Sequence, residues 1–488
     1  MTASMLAFDL GAESGRTLLG SFDGARVELR ELNRFPTRAV RLPDGLYWDA
    51  LGLFADLVAG LGNASRDPGE VRSVGIDSWA VDFGLLDGDG RLLANPLSYR
   101  DGRSARAMDA VLARVPFADL YDVTGIQLLA INTVFQLLAL DRLDDADTML
   151  LIPDLLGYWL TGERVAEATN ASTTQLLEAR TGDWSRELIE RVGLPLRIFP
   201  PVVRAGTVRG GLLPHVGEAC GLSASTPVVS VASHDTASAV VATPLAEDDS
   251  AAFISSGTWS LVGIEVHAPV LTDEARSANM TNERGFGGTT RLLKNVMGLW
   301  LLQECRRAWA REGRDVEYAM LAPLAETAPS SVLFDPDLPE LLTPGDMPAR
   351  ICSAANAGPQ EIAVIARSIF ESLACKYRLV LEQLEAVTGR RIETVNVIGG
   401  GARNGYLCRL TANVTNRSVV AGPVEASALG NVLVQMHAFG DVSSLREMRE
   451  IVRASTRLEA YEPDTDRARW DDLYGRFTEI VRPRAVTT

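Results

Sequence analysis

Length, composition and charge limit the classes of protein to which this sequence can belong. Its 488 residues exceed the roughly 250 to 300 at which one hydrophobic core stops growing, so we expect two large domains. Hydrophobic residues make up 47% and charged residues 23%, which is ordinary for a globular protein and argues against a disordered chain. The 63 acidic and 47 basic residues leave a net charge of -16, which disfavours nucleic acid as a partner.

Neither a targeting segment nor a membrane span is expected from the sequence. No basic segment followed by an apolar one comes after Met1, so we expect no signal peptide. The most apolar stretch, 126–140, contains four polar residues and predicts a buried helix. Five cysteines without CxxC spacing predict reduced thiols, and the four scattered histidines do not indicate a zinc site. These features predict a cytoplasmic protein.

The first half of the chain begins with strand patterns. Alternating apolar and polar residues around turns at 11–15 and 23–24 predict three antiparallel strands within the first thirty-odd residues. A second set of strands is predicted at 71–77, 81–87 and 91–94. Helical patterns fill much of 103–193, and the Pro- and Gly-rich stretch 195–211 is predicted to be a surface loop.

The second half repeats the opening pattern of the first. After a strand at 226–232 and a helix from near Thr236, a strand pair at 252–255 and 259–266 surrounds a small polar loop containing glycine, as the strands around 11–15 do. We therefore expect two related α/β domains facing each other across a cleft. Their boundary is predicted near 243–249, which divides the chain into residues 1–243 and 244–488.

Two further elements are predicted in the second half. Apolar residues at helical spacing predict a long buried helix over 360–388, which stops before Gly389. A strand at 395–398 leads into Gly399, Gly400 and Gly401 and then a helix from about Asn404. A glycine-rich turn between a strand and a helix allows close approach to a phosphate or nucleotide, although a flexible turn is the alternative.

A first candidate site follows the first strand. Asp9 ends an otherwise apolar strand, where its carboxylate can reach a magnesium ion through water. The backbone N–H groups of the next loop can surround a phosphate; its members are Ala12, Glu13, Ser14, Gly15 and Arg16. The alternative is an ordinary hairpin in which Asp9 only forms the turn.

A second candidate is Asp235, which lies between a buried strand and a helix. One interpretation is that Asp235 only caps the helix. The other is that its carboxylate accepts the proton of a hydroxyl group that attacks a phosphoryl group. The loop Ser256-Gly257-Thr258 is a third candidate, either a simple turn or a second set of phosphate ligands.

Other phosphate-binding motifs are excluded by inspection. The chain has only two lysines, Lys294 and Lys376, and neither follows a glycine, so the sequence contains no P-loop. It also lacks the HRD catalytic loop of protein kinases.

The spaced motifs at 9–16, 255–260 and 399–401 together resemble those of the FGGY carbohydrate kinases, relatives of hexokinase, actin and heat-shock ATPases. The resemblance implies an α/β fold with two ribonuclease H-like domains around a central cleft. Further segments resemble the branch of the family that phosphorylates L-rhamnulose; they are 75–83, 98–101, 232–239, 293–303 and 421–427. Together the matching segments cover both domains.

The resemblance also implies roles for individual residues. It implies that Asp235 is the general base, that residues 12–16 bind the phosphates of ATP, and that Asp9 contacts the Mg²⁺ ion. The nucleotide site is implied to be lined by Thr258, Asn295, Gln303, Gly400 and Gly401. His234 and Thr236 are implied to contact the sugar beside Ala80, where the family usually has glycine.

The implied reaction transfers the γ-phosphoryl group of ATP to the 1-hydroxyl of a ketose. L-rhamnulose is the favoured substrate, and L-fuculose, ribulose, xylulose or a polyol are alternatives. A non-enzymatic, actin-like ATP-binding protein is a further alternative. The partners are then a sugar and ATP, without nucleic acid or membrane, and the chain is a monomer or a homodimer.

Overall fold

The computed structural model describes residues 4–67, 69–140, 143–245 and 250–481. These residues form two compact units, of which the first contains Met1–Pro244, Glu265–Leu292 and Glu425–Thr456. The second contains Leu245–Ile264, Leu293–Val424 and Arg457–Thr488. Each unit is therefore assembled from three separate stretches of chain.

The strands of the described residues, in chain order, are β1 Ser4–Leu10, β2 Ser14–Phe22, β3 Val27–Pro36, β4 Ala39–Leu42, β5 Gly45–Trp48, β6 Val71–Ser78, β7 Phe83–Leu86, β8 Thr148–Leu151, β9 Ala166–Glu167, β10 Val202–Val203, β11 Thr207–Gly211, β12 Pro227–Ser230, β13 Ala251–Ser256, β14 Trp259–Val266, β15 Thr281–Arg284, β16 Thr290–Met297, β17 Thr394–Ile398, β18 Ser418–Ala421 and β19 Glu459–Tyr461.

The helices are α1 Ala50–Ser65, α2 Ser104–Leu112, α3 Phe117–Thr124, α4 Thr133–Leu138, α5 Ile152–Thr161, α6 Ala168–Ala171, α7 Arg186–Val192, α8 Pro214–Cys220, α9 Asp235–Val241, α10 Asp273–Ser277, α11 Trp300–Arg311, α12 Tyr318–Thr327, α13 Met347–Ala354, α14 Ile362–Thr388, α15 Gly405–Thr415, α16 Ala426–Ala438, α17 Leu445–Ser455 and α18 Arg467–Val481.

The first unit is built on a mixed sheet in the order β11-β12-β6-β1-β2-β3. Every residue of β1 is buried, as expected for a central strand covered on both faces. Strand β6 runs parallel to both β1 and β12. Because parallel strands end at the same edge of a sheet, the residues that follow β1, β6 and β12 lie together.

Two helices of the first unit pack directly against each other. Helix α9 follows β12, and α16 crosses it closely at Gly430, where an added Cβ would lie 1.8 Å from the Ser238 carbonyl oxygen. Helix α16 also packs on β1 and β6. The carboxyl end of the sheet and the start of α9 therefore share one supporting helix.

The second unit contains the run β14-β13-β17-β18-β19 of a mixed sheet, in which β13, β17 and β18 are parallel. Helix α14 ends at Gly389, whose φ of 69° favours glycine. After β17 the chain turns at Gly399, with a φ of 78°, and enters α15 with the Asn404 side chain capping the Leu407 N–H at 3.0 Å.

Most of the predicted strands and helices are confirmed, including the three opening strands, the long helix and the glycine-rich turn before α15. All five cysteines are buried thiols without a disulfide. Within the described part of the chain, no helix has the length and apolar character needed to cross a bilayer.

The strand predicted over 91–94 is wrong, because only Leu92 forms a single bridge, to Leu86. The strand predicted over 81–87 is shorter than expected and begins at Phe83. Val81 has a φ of 67°, which is incompatible with an extended strand. The loop predicted over 195–211 is also partly wrong, since β11 pairs with β12 around a bulge near Gly210.

The buried helix predicted over 126–140 is confirmed only for α4. Polar side chains hold the preceding residues in an irregular conformation by bonding to their backbone. Asn132 donates to the Gln127 carbonyl at 2.8 Å, and Gln136 donates to the Ile131 carbonyl at 2.7 Å. These bonds compete with the helical hydrogen bonds that the apolar spacing favours.

Candidate active site

Three carboxylates meet at the carboxyl end of the first unit's sheet. Asp9 near the end of β1 is in register with Asp77 near the end of β6, and Asp235 begins α9 a few residues after β12. An isolated bridge between Ser78 and His234 joins the last two segments. The structure thus brings together two acidic residues that the sequence singled out, and adds Asp77.

Asp235 is the most accessible of the three carboxylates, with 29% of its side chain exposed. Its Oδ1 accepts hydrogen bonds from the backbone N–H and the hydroxyl of Thr236. His234 occupies the N-cap position of α9, and Asp235 is the first residue of the helix. Burial raises the pKa of Asp235, and the charge of Asp9 adds to that effect.

Asp9 is paired with the guanidinium of Arg16, which also pairs with Glu425. The contact with Asp9 follows from the hairpin between β1 and β2, which places Arg16 opposite Asp9. The turn is closed by a 3.0 Å hydrogen bond from the Gly11 N–H to the Ser14 carbonyl. Residues 12–16 therefore lie directly beside Asp9, as the sequence predicted.

Gly15 has a steric reason to be glycine. A Cβ at this position would lie 2.2 Å from the ring of Phe35 on β3. The absence of a side chain lets β2 pass close to that ring, and so fixes the backbone of the loop beside Asp9.

Asp77 is completely buried and is held by residues from the far end of the sequence. Asn431 on α16 donates to its Oδ2 at 2.6 Å, and Gln435 donates to the Asn431 side-chain oxygen at 2.7 Å. Asp77 Oδ1 has no hydrogen-bond partner. Burial, reinforced by Asp9, raises the pKa of Asp77 well above its usual range.

Ala80 lies in a tightly held loop after β6. The Asp82 carboxylate accepts the indole N–H groups of Trp48 and Trp79 at 2.6 and 3.0 Å, and the Gln136 amide at 3.1 Å. The loop is tied to the Asp235 segment because the Ser78 N–H donates to the Ser233 carbonyl at 2.9 Å.

His234 lies against two residues that the sequence analysis missed. Its Nδ1 is 3.2 Å from both Arg291 Nη2 and Glu283 Oε2. Its Nε2 is 3.5 Å from Asp235 Oδ1. Both partners come from the stretch Glu265–Leu292, beyond the predicted domain boundary, and no local motif marks them.

The remaining candidates belong to the second unit. The carbonyl of Thr258 accepts from the N–H groups of Gly298 and Trp300, both at 3.2 Å, which joins the loop after β13 to the start of α11. Asn295 lies on β16 just before that junction, and Gln303 lies on α11. The Gln303 side-chain oxygen is buried without a hydrogen-bond partner.

The glycine turn of the second unit lies against the end of β13. A Cβ on Gly401 would be 2.0 Å from the Ser256 hydroxyl, whereas a Cβ on Gly400 would meet nothing within 4 Å. Gly401 is therefore needed for packing, while Gly400 borders open space. Thr258, Gly400 and Gly401 thus lie around one strand end, and the sugar and base candidates lie in the other unit.

Comparison with known proteins identifies the family. The model of the FGGY carbohydrate kinase N-terminal domain matches residues 4–242, and that of the C-terminal domain matches residues 252–439. A rhamnulokinase from Bacteroides thetaiotaomicron is 43% identical, with 99% of this chain and all of that protein covered. A rhamnulokinase from Enterococcus faecalis is 41% identical, with 94% of each chain covered.

The fold agrees with that family. The crystal structure of a ligand-bound xylulose kinase from Lactobacillus acidophilus superposes with a TM-score of 0.81 at 17% identity, covering 98% of this chain and 97% of that one. This match confirms the predicted α/β fold. The two domain models span most of the sequence, and the relatives match nearly all of it, so the chain belongs to the FGGY family of carbohydrate kinases.

Proposed function

We propose that this chain transfers the γ-phosphoryl group of ATP to the 1-hydroxyl of L-rhamnulose, giving L-rhamnulose 1-phosphate and ADP. The observation that carries the proposal is the partly exposed carboxylate of Asp235, placed beside Asp9 and the loop 12–16 at one edge of the sheet. The choice of sugar is supported by the similarity to proteins named rhamnulokinase over nearly the whole chain.

Asp235 is proposed as the general base. Thr236 occupies Oδ1, which leaves Oδ2 to face the sugar hydroxyl. As the hydroxyl oxygen bonds to the γ-phosphorus and the bond to the ADP oxygen breaks, Oδ2 takes the hydroxyl proton. Burial makes this carboxylate a stronger base than one in water, but it is still too weak to deprotonate a free alcohol. Proton transfer is therefore expected late in the reaction.

The residues beside Asp9 fit a magnesium ion that accompanies ATP. Carboxylate oxygens are the hard donors that Mg²⁺ prefers, and the partnerless Asp77 Oδ1 shows unused acceptor capacity next to Asp9. Among the described residues, no group of three or more acidic, His or Cys side chains is arranged to hold a metal ion by itself. Asp9 would thus hold the ion with water and phosphate oxygens, and the ion would neutralise phosphate charge.

Each unit contains residues that we propose as ligands of ATP. Backbone N–H groups of residues 12–16 and the Arg16 guanidinium would contact phosphate in the first unit. Thr258, Asn295, Gln303, Gly400 and Gly401 would line the nucleotide site of the second. The open space at Gly400 and the unused Gln303 oxygen support this assignment.

The sugar is proposed to contact His234 and Thr236 beside Ala80. If the sugar packs against position 80, where the resemblance implies glycine, the Ala80 methyl would tighten the sugar pocket. A second candidate function follows from that methyl: phosphorylation of a different ketose or polyol, such as L-fuculose, ribulose or xylulose.

The variant Asp235→Asn tests the proposal. The amide cannot accept the proton, so we expect ketose-dependent ADP release to fall by roughly 10² to 10⁴, with ATP binding retained. A matched control is Asp273→Asn, because Asp273 also begins a helix but is 80% exposed. Turnover near that of the wild type in Asp235→Asn would remove Asp235 from its proposed role.

The sugar is tested by measuring kcat/KM for L-rhamnulose, L-fuculose, ribulose, xylulose and glycerol. The highest value is expected for L-rhamnulose. A higher value for another sugar would favour the second candidate function, and ATP turnover without any sugar would favour an actin-like ATPase.

A further inference from the structure

Arg291 on β16 is a completely buried arginine that faces the residue next to the proposed base. Its Nε donates to the Arg284 carbonyl at 3.0 Å, and its Nη2 is 3.1 Å from Glu283 Oε2. The same Nη2 makes a 3.2 Å hydrogen bond with His234 Nδ1. The proposed reaction gives Arg291 no direct role, but its contact with His234 can affect the residue next to the base.

The hydrogen bond between Arg291 and His234 sets the position of the imidazole proton. A guanidinium group has only donors and stays protonated in proteins. His234 Nδ1 must then accept, which requires it to carry no proton. A neutral imidazole with a bare Nδ1 carries its proton on Nε2, the nitrogen 3.5 Å from Asp235 Oδ1.

Glu283 is placed to favour the opposite tautomer of His234, with the proton on Nδ1. Its Oε2 is also 3.2 Å from His234 Nδ1, and a carboxylate there would accept a proton from Nδ1. Two features favour the arginine. The Arg291 contact has the geometry of a hydrogen bond, and Glu283 Oε2 already forms an ion pair with Arg291 that balances the buried positive charge.

The other charged groups near His234 are consistent with this arrangement. Asp235 Oδ1 lies 3.5 Å from Nε2, and Asp235 is itself close enough to Asp9 to feel its charge. Glu167 accepts from both the N–H and the hydroxyl of Ser233, at 3.0 and 2.9 Å, so it is engaged next to His234 without contacting the ring. An Nε2–H group therefore points toward negative charge.

We propose that Arg291 is a positioning residue that holds His234 as a neutral imidazole with its proton on Nε2. His234 then donates a hydrogen bond at the edge of the site and cannot compete with Asp235 as a base. The catalytic consequence rests on the proposed function: the acceptor of that hydrogen bond in the complex is an oxygen of the ketose, beside the hydroxyl that is phosphorylated.

Nitrogen-15 NMR of the full-length protein, labelled at histidine, tests the proposal directly. The chain has four histidines, so the ring signals can be assigned by substitution. His437 is an internal reference of opposite tautomer, because its Nδ1 is 2.9 Å from the Val442 carbonyl oxygen, which only accepts. We expect the bare nitrogen to be Nδ1 in His234 and Nε2 in His437.

A variant pair tests whether Arg291 sets the tautomer. Arg291→Met combined with Glu283→Gln removes the donor without leaving a buried unpaired charge. We expect His234 to lose its preference for Nε2–H, and kcat/KM for the ketose to fall about 10- to 100-fold with KM for ATP unchanged. Arg72→Met is the control, since Arg72 pairs with Asp441 at another part of the first unit.

Two outcomes would overturn the proposal: a proton on Nδ1 of His234 in the wild type, or unchanged tautomer and kinetics in the folded double variant. If the double variant does not fold, the wild-type spectrum alone still shows which nitrogen of His234 carries the proton. This test is independent of the Asp235→Asn assay, because the spectrum needs no turnover.

Discussion

Among single residues, Asp82 carries a strongly shifted pKa in a fully buried site. Burial raises the pKa of Asp82 to about 7, even though Trp48, Trp79 and Gln136 all donate hydrogen bonds that favour the ionised form. The native state therefore keeps the Asp82 proton over a pH range in which the unfolded chain, with a pKa near 3.8, has lost it.

The sign of the resulting pH dependence follows from proton uptake. Where the folded state binds more protons than the unfolded state, the free energy of unfolding falls as pH rises. Protonated Asp82 contributes roughly 4 kcal/mol at most to the free energy of unfolding. This contribution is complete below pH 4 and is lost by about pH 7. Asp82→Asn cannot titrate, so it should lack this part of the dependence.

Urea unfolding followed by tryptophan fluorescence at pH 5 and pH 8 measures the effect. The stability of the wild type relative to Asp82→Asn should be lower at pH 8 than at pH 5. Asp89→Asn is a suitable control, because the Asp89 side chain is 71% exposed. An equal stability difference at both pH values would contradict the prediction.

Sequence reasoning found some site residues and missed others for a physical reason. Asp9, Asp235 and the glycine turn stand out because each follows an apolar strand, a signal that lies within a few neighbouring residues. Asn431 lies in a largely apolar helix and Arg291 in a strand with other polar residues, so neither stands out in the sequence. Their roles depend on contacts with residues far away in sequence, which no local pattern records.

At the scale of elements, the packing of α16 on α9 supports the proposed base. The two helices approach at Gly430, where a Cβ would lie 1.8 Å from the backbone oxygen of Ser238. Gly430→Ala must therefore push α9 away or distort it, and α9 begins with Asp235. We expect a loss of about 1–3 kcal/mol in stability and a lower kcat, measured by thermal unfolding and steady-state kinetics.

Gly475→Ala in α18 is the matched control for that substitution. Gly475 is an exposed helical glycine, and a Cβ there would meet nothing within 4 Å. Alanine favours the helix, so this variant should be unchanged or more stable by about 0.5–1 kcal/mol. A Gly430→Ala protein as stable and as active as the wild type would show that α16 does not fix α9.

The elements were predictable where local pattern and packing agree. The alternation in β1 to β3 and the spacing in α14 give the right structures. The pattern fails at 126–140, where Asn132 and Gln136 bond to nearby backbone, and at Val81, whose positive φ breaks the expected strand. At 126–140 the segment's own polar side chains compete with its helical hydrogen bonds, whereas the Val81 carbonyl accepts hydrogen bonds from Thr133 and Gln136, which lie far away in sequence.

At the scale of the whole molecule, the first unit is completed by stretches from the second half of the chain. The boundary near 243–249 stays a prediction from composition and repeat position. Packing adds that Glu265–Leu292 and Glu425–Thr456 belong with the first unit. Local sequence patterns cannot reveal which unit these stretches join, because they record only contacts between residues that are close in sequence.

A fragment of residues 1–244 is therefore expected not to fold alone. It would lack α16, which covers β1 and β6, and Asp77 would lose the side chain of Asn431. Exposing the apolar surface that α16 covers costs about 25 cal/mol per Å², and a typical domain is stabilised by only roughly 5–15 kcal/mol. Co-expression with residues 245–488 should restore a soluble complex with kinase activity. Soluble 1–244 with a cooperative unfolding transition of its own would show that these later stretches are dispensable for the first unit.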